Sequence, residues 1–187
     1  MPLKKLCFVS LFSLGLLHAQ SSIGLNINSD DLEVTASIDL NALTYYSDST
    51  SYTLDASYLH ADGDNLTTLG VSAQSSFQGV EGLILGLGIK SVFADHFVAI
   101  PFVAKAKYRL PFNYSIPTTF IGTSIAYAPS VLTFSDGESY TEFRVEADME
   151  LITNVHIFTG YRNIDTEYDT YDETFNNSFY GGMKLSF

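Results

Sequence analysis

Hydrophobic and polar residues alternate along most of this chain. The alternation is strictest between Thr141 and Leu151, where the odd-numbered positions carry Thr, Phe, Val, Ala, Met and Leu and the even-numbered positions carry only charged residues. Successive side chains of a β-strand point to opposite faces, whereas a helix would mix these two groups of residues. The pattern therefore predicts β-strands that have one apolar face and one charged face.

Ten segments share this alternation, and most of them are 9 to 11 residues long. That is the length of a tilted transmembrane strand, and turn-forming clusters of Asp, Gly, Asn and Ser separate the segments. The sequence predicts an all-β protein, a single-chain antiparallel transmembrane β-barrel with ten strands. Eight strands remain the alternative, with two segments merged or dropped. The segments are 22–28, 32–40, 52–60, 66–77, 83–93, 98–108, 118–127, 141–151, 154–164 and 179–187.

The distribution of charge distinguishes a membrane barrel from a soluble β-sandwich, which would show the same alternation. The chain has a formal net charge of -12, yet the basic residues after position 19 lie on the polar faces of predicted strands, apart from Arg109 at a strand end. An enclosed interior should be close to neutral, and six bases accompany seven acids on these faces. The bases are Lys90, Lys105, Lys107, Arg144, Arg162 and Lys184, and the acids are Glu33, Asp39, Asp55, Glu142, Glu146, Asp148 and Glu150.

The first nineteen residues are predicted to be a cleaved signal peptide. Lys4 and Lys5 precede an apolar run over 6–17, which is too short to span a bilayer as a helix. The one cysteine of the chain, Cys7, lies within this segment, so we expect no disulfide after export. The predicted organisation is a signal peptide over 1–19, cleaved after Ala19, and one outer-membrane β-barrel over 20–187.

The last predicted strand indicates partners and orientation. It ends in Phe187 and resembles the final strands of outer-membrane barrels, which the outer-membrane assembly machinery recognises. We expect that machinery, outer-membrane lipid and lipopolysaccharide as partners of a monomeric barrel. The formal net charge of -12 argues strongly against nucleic acid as a partner, because binding its phosphates requires a basic surface. If Phe187 lies on the periplasmic side, strand parity makes 128–140 and 165–178 extracellular loops.

The pattern also predicts the register between the eighth and ninth segments. Both put even-numbered residues on the polar face, so a turn that pairs Glu150 with Asn154 places Glu142 opposite Arg162. Shifting this register by two residues would place Arg144 opposite Arg162, and like charges directly opposite each other cost free energy. We therefore expect Glu142 to face Arg162.

Gly-rich alternating strands, the Gly160-Tyr161-Arg162 segment and the ending from Tyr180 to Phe187 resemble the YfaZ-type family of small bacterial outer-membrane proteins. The resemblance extends over most of the chain that follows the leader. It implies a small β-barrel located in the outer membrane of a Gram-negative cell envelope. It carries over no catalytic residue.

Two acidic groups are candidates for chemistry. Asp62, Asp64 and the Asp95-His96 pair resemble the acidic and His-Asp pairs of outer-membrane aspartyl proteases, but these loops are too short to build a substrate cleft around a general base. The second group comprises Glu167, Asp169, Asp172 and Glu173. It lacks the spacing of a twelve-residue calcium loop and is interpreted as a solvated loop. We predict no catalytic, cofactor-binding or metal-binding residue, and no cofactor.

These features predict a small outer-membrane β-barrel protein with a structural or surface-interaction role, no enzymatic activity, and a lumen largely filled by charged side chains. Barrels of about eight strands are just filled by their own side chains, whereas aqueous porins need about sixteen. A ten-stranded barrel should therefore conduct little or nothing. A narrow channel and a small surface hydrolase remain the alternatives.

The signal peptide can be tested by the mass of the exported protein. Cleavage after Ala19 leaves Gln20 as the first residue. Intact-mass spectrometry of the protein purified from outer membranes should therefore give the mass of residues 20–187. A mass that retains the first nineteen residues would contradict the prediction.

Overall fold

The chain folds into an antiparallel β-barrel. The computed structural model describes residues 21–43, 50–112, 116–168 and 171–187, in which turns and two short 3-10 helices, Leu40–Leu43 and Ser130–Leu132, connect strands. The strands are β1 (Ser22–Ile27), β2 (Asp31–Asp39), β3 (Thr50–Ala61), β4 (Asp64–Ser76), β5 (Leu83–Ala94), β6 (Phe97–Ala99), β7 (Phe102–Arg109), β8 (Thr119–Ala128), β9 (Thr133–Ser135), β10 (Gly137–Ile152), β11 (Val155–Tyr168) and β12 (Tyr171–Ser186).

Ten of these strands close the barrel within the described residues. Around the sheet the order is β4, β3, β2, β1, β12, β11, β10, β8, β7 and β5, and β5 pairs with β4 again. Strands β6 and β7 follow one line in the barrel wall and are interrupted at Ile100-Pro101, because Pro101 has no N–H to donate to a neighbouring strand. Strand β9 pairs with β6 and extends the sheet at one end. The predicted count of ten strands is confirmed, and the alternative of eight is wrong.

The two ends of the barrel differ, and we name them by the chain termini. Ser22 at the start of β1 pairs with Ser186 at the end of β12, so these two residues lie at one end, the termini end. The opposite end, where β3 turns into β4 and β5 into β6, is the far end. The periplasmic position of the termini end stays a prediction. In the four described ranges, no helix is long and apolar enough to cross a bilayer.

The two strand faces have the exposure expected of a membrane barrel. Leu87 and Phe102, on predicted apolar faces, are 71% and 63% exposed, whereas Glu33 and Arg162, on predicted charged faces, are 0% exposed. A soluble sandwich would bury the apolar side chains, whereas in a membrane barrel lipid contacts them on the outside. The prediction of charged interior faces is confirmed, and the chain is an outer-membrane β-barrel protein.

The far end extends beyond the predicted strands. Residues 165–178 were expected to form a loop, but β11 continues to Tyr168 and β12 begins at Tyr171. Even-numbered residues of β11 still point inward there, but the inner face becomes apolar, with Ile164 and Tyr168 buried, while Glu167 is exposed on the outside. A bulge that adds Phe175 follows the pairing of Ile164, and Phe175 is buried as well. This part of the hairpin therefore has the pattern of a sheet that faces water on its outside.

The loop predicted over 128–140 also contains regular structure. A 3-10 helix over Ser130–Leu132 leads into β9, and β10 begins at Gly137. Strand β9 pairs with β6 through Phe97 and Ser135. The sequence pattern missed β9 because a strand of three residues is too short to show alternation.

The predicted register between β10 and β11 is wrong. The structure pairs Arg144 with Arg162, the register that the sequence argument rejected, and pairs Ile152 with Val155 next to the turn. A bulge at Leu151 restores the parity that a two-residue turn would otherwise break. Asn154 has a positive φ of 68° in this turn, a conformation that Asn tolerates better than most residues. Such a bulge cannot be read from alternation.

Two glycines of β11 and β12 make room for aromatic rings inside the barrel. Gly160 pairs with Tyr180, and Gly182 pairs with Phe158. A Cβ on Gly182 would lie 2.2 Å from the backbone oxygen of Leu25 and 2.6 Å from the Phe158 ring. The two aromatic rings lie 6.2 Å apart, so they fill the space that the missing side chains leave.

The Gly182→Ala substitution should destabilise the barrel. The added methyl group meets backbone that cannot move freely, and overpacking of this kind costs about 1–3 kcal/mol of the free energy of unfolding. Gly122→Ala is the matched control, because a Cβ there meets no atom nearer than 3.8 Å. Urea unfolding followed by heat-modifiable gel migration measures both changes. Equal stability of the two variants would contradict the packing described here.

Candidate functional site in the barrel lumen

An apolar cluster crosses the lumen at the far end. Phe97 is fully buried, and the centre of its ring lies 5.4 Å from that of Tyr168 and 6.1 Å from that of Tyr140. Because buried side chains from opposite walls pack together, the cluster closes the lumen at this end. The cluster comprises Leu59, Ala61, Leu66, Val92, Phe97, Ala99, Val103, Ala126, Ala128, Tyr140, Ile164, Tyr168 and Phe175.

One carboxylate connects two arginines in the middle of the lumen. Glu33 on β2 accepts hydrogen bonds at 2.9 Å from both terminal nitrogens of Arg144 on β10. It also accepts a hydrogen bond at 2.6 Å from Arg162 on β11. Fork-shaped contacts between arginine and carboxylate are among the stronger hydrogen bonds in proteins. Their position explains the unexpected register, since Glu33 compensates the charges of two arginines that the backbone pairs directly.

Glu142 connects this ionic group to the apolar cluster. Its carboxylate accepts hydrogen bonds from the Lys90 ammonium group, from the Tyr140 hydroxyl and, at 2.6 Å, from Nε of Arg144. The ring of Tyr140 belongs to the apolar cluster, so its hydroxyl forms the boundary between apolar and charged parts of the lumen. A buried carboxylate needs such donors because an unpaired one would be costly to desolvate.

Sequence reasoning missed one member of the ionic group. Asp31 was assigned to a turn, but it begins β2 and is buried inside the barrel. Its carboxylate accepts hydrogen bonds from Arg162 at 3.3 Å, from Asn176 at 2.8 Å and from the Ser178 hydroxyl at 2.7 Å. The even positions of residues 176–184 could have indicated its surroundings, since Asn176 and Ser178 continue the polar face of β12.

A cavity of about 400 Å³ occupies the lumen on the other side of the ionic group. Ser22 and Gln74 contribute to its wall, and both lie within three residues of a strand end at the termini end, so the cavity extends to that end. The expectation that charged side chains fill the lumen therefore needs correction. Apolar side chains close the far end, ion pairs fill the middle, and a polar cavity remains.

Most charged groups around the cavity are paired. Lys105 donates a hydrogen bond to Asp55 at 2.6 Å. Lys184 donates a hydrogen bond to Asp148. The same carboxylate lies 2.7 Å from Nδ1 of His156 and accepts a hydrogen bond from it when Nδ1 carries the proton. These contacts place His156 in the polar network of the interior.

The residues considered for catalysis lie away from the lumen. Asp62 lies in the turn between β3 and β4, and Asp64 begins β4. Asp95 and His96 form the turn between β5 and β6, with side chains that are 89% and 76% exposed and 3.8 Å apart. A general base acts within a cleft that holds its substrate, and these exposed turns provide none.

The second acidic group lies on the outer hairpin. Glu167 pairs with Asp172 along the backbone of β11 and β12, and its carboxylate accepts a hydrogen bond at 2.6 Å from Ser139. Asp169 lies outside the described residues. Over the described ranges, no three His, Cys, Asp or Glu side chains are arranged to hold a metal ion.

The link between Glu33 and Arg162 can be measured by a double-mutant cycle. Glu33→Gln leaves two arginines without their shared carboxylate, so the free energy of unfolding should fall by about 3–5 kcal/mol. Arg162→Gln should couple to it by about 1 kcal/mol or more. The cycle of Glu150→Gln with Arg162→Gln is the control and should be additive within about 0.5 kcal/mol. Additive effects of Glu33 and Arg162 would show that they do not meet in the lumen.

Comparison with known proteins identifies a family and a fold. The family model described as YfaZ precursor matches residues 4–187. The chain matches no curated protein sequence. One similar solved structure is a bacterial polysaccharide outer membrane secretin, with a TM-score of 0.50, 11% identity and coverage of 89% of this chain and 69% of that chain. Another is the KdgM porin in complex with disordered oligogalacturonate, with a TM-score of 0.48, 11% identity and coverage of 89% and 98%.

Proposed function

We propose that this chain, which belongs to the YfaZ precursor family, has a structural or surface-interaction role in the outer membrane and does not conduct. The observation that supports this function is the apolar cluster at the far end. Phe97, Tyr140 and Ile164, contributed by three different strands, are 0% exposed within it. An aqueous path through the barrel would have to separate these side chains.

The far end offers the surface for interactions. The hairpin of β11 and β12 and the short strand β9 extend the barrel there, and Glu167 and Phe134 are exposed on its outside. We propose outer-membrane lipid and lipopolysaccharide as partners around the barrel. The assembly machinery would bind the last strand, whose Phe179 and Phe187 point outward and are exposed.

A narrow channel is the second candidate, and the cavity of about 400 Å³ favours it. Among the described residues the cavity extends to the termini end, so it could form one half of a water-filled path through the barrel. Conduction would then require the apolar cluster to open. A hydrolase has less support, because the acids considered for it lie in exposed turns.

Planar bilayer recordings test the closed lumen. The unmodified protein should show no steady conductance of porin size, because aqueous pores need about sixteen strands. Phe97→Ala removes the ring that packs between two tyrosines, so it should produce measurable conductance or brief openings.

Phe93→Ala is the matched control for this experiment. Phe93 lies near the end of β5, in the same hairpin as Phe97, but its ring faces outward and is 47% exposed. This variant should remain silent, since it removes the same group from the lipid side. Steady conductance of the unmodified protein would contradict the proposal and support the channel.

A further inference from the structure

We propose that the lumen cavity binds a small soluble oxyanion, of the phosphate or carboxylate type, at the ammonium group of Lys107. This goes beyond the structural or surface-interaction role, because it assigns a ligand to the interior of the barrel. It also does not depend on conduction, since the cavity is closed at the far end. Among the described residues the cavity extends to the termini end, through which an anion from solution would enter.

The charge around the cavity is balanced, unlike that of the whole chain. The chain has a formal net charge of -12, but the cavity wall carries five basic side chains and four acidic ones. Asp148, the ion-pair partner of Lys184, brings the acids to five, so the attraction for an anion depends on the local charge of a base that has no such partner. The bases are Lys90, Lys105, Lys107, Arg144 and Lys184, and the acids are Glu33, Asp55, Glu142 and Glu146.

Lys107 differs from the other bases of the wall. Lys90, Lys105, Arg144 and Lys184 each form an ion pair with a carboxylate. Within the described part of the chain Lys107 forms no ion pair, and its ammonium group lies 4.1 Å from the centre of the Phe120 ring. Glu146 and Asp148 act on this half-buried ammonium group only at longer range, so among the described residues it has no hydrogen-bond acceptor. An oxyanion would supply that acceptor.

The backbone leaves space beside Lys107. Gly122 on β8 pairs with Lys107 on one side and with Glu146 on the other. Two strand spacings, roughly 10 Å, therefore separate the backbones of Lys107 and Glu146. A Cβ on Gly122 would meet no atom nearer than 3.8 Å, so no neighbouring side chain fills the gap as aromatic rings fill the gaps at Gly160 and Gly182. The inner wall between Lys107 and Glu146 is therefore left open at Gly122.

Further donors lie on the same side of the cavity. Lys105 is two residues before Lys107 on the inner face of β7, and Ser124 is opposite Lys105 on β8. Both residues belong to the cavity wall. Glu146 accepts a hydrogen bond at 3.2 Å from the Tyr180 hydroxyl, so its carboxylate has a partner of its own. An anion at Lys107 would be drawn away from Glu146, which repels it.

Phosphate binding to the purified full-length mature protein in detergent tests this proposal. Calorimetric titration with inorganic phosphate should show binding that Lys107→Met weakens at least about tenfold, as expected for loss of a charge-assisted hydrogen bond. Glu146→Gln should tighten binding because it removes a negative charge beside the anion. Acetate, titrated in parallel, shows whether carboxylates bind as phosphate does.

Arg109→Met is the matched control. Arg109 ends the same strand and has the same charge, but its side chain is exposed and lies 3.7 Å from Glu81. This variant should bind phosphate as the unmodified protein does. Equal weakening by both substitutions would mean that the anion responds only to overall charge, which overturns the proposal.

A second measurement does not depend on a variant. Phosphate should protect Lys107 of the unmodified barrel from acetylation by acetic anhydride, read by mass spectrometry of peptides. Lys4 and Lys5 leave with the predicted leader, so Lys90, Lys105 and Lys184 provide internal comparison. Acetylation of Lys107 at an unchanged rate in saturating phosphate would show that the anion binds elsewhere or not at all, and the proposal would be wrong.

Discussion

A backbone surrounded by lipid must pair its N–H and C=O groups within the protein, and this constraint accounts for the closed sheet. Strand β1 pairs with β12, and β4 pairs with β5, so the barrel strands leave no open edge in the described residues. Closure then places half of the side chains in an interior where opposite walls meet. Glu33 contacts Arg144 and Arg162 for this reason, although 111 and 129 residues separate them in the sequence.

The inner and outer faces of the same strands exchange polarity along the length of the barrel. Around Phe102 and Leu87 the apolar side chains face outward, and the inside is charged. Toward the far end the inside becomes apolar, with Tyr168 buried and Glu167 exposed on the outside. The barrel therefore combines a lipid-facing part with a cap that is built like a soluble protein. The ionic group around Glu142 lies where the two parts meet, and its Tyr140 belongs to both.

The membrane part of the fold could be predicted because lipid imposes a simple rule on each strand. Every residue of 141–151 has a face that follows from its parity alone, and the structure confirms that assignment. Bulges could not be predicted, and the one at Leu151 changed the register. The outer hairpin was also missed, because alternating acids and tyrosines resemble a solvated loop when their buried partners are unknown. The lumen contacts of Asp31 and Lys107 depend on strands distant in sequence, which alternation cannot align.

The closure of the sheet also has a consequence for the order in which the molecule forms. Strand β1 pairs with β2 and also with β12, the last strand, which ends at Ser186. The seam between β1 and β12 therefore joins residues separated by nearly the whole described chain. Contacts so distant in sequence form slowly, because chain entropy must be lost before they stabilise anything. The apolar cluster likewise draws on residues from Leu59 to Phe175. A chain whose seam has not yet formed is therefore an open sheet, and its apolar cluster is complete only when strands distant in sequence have met.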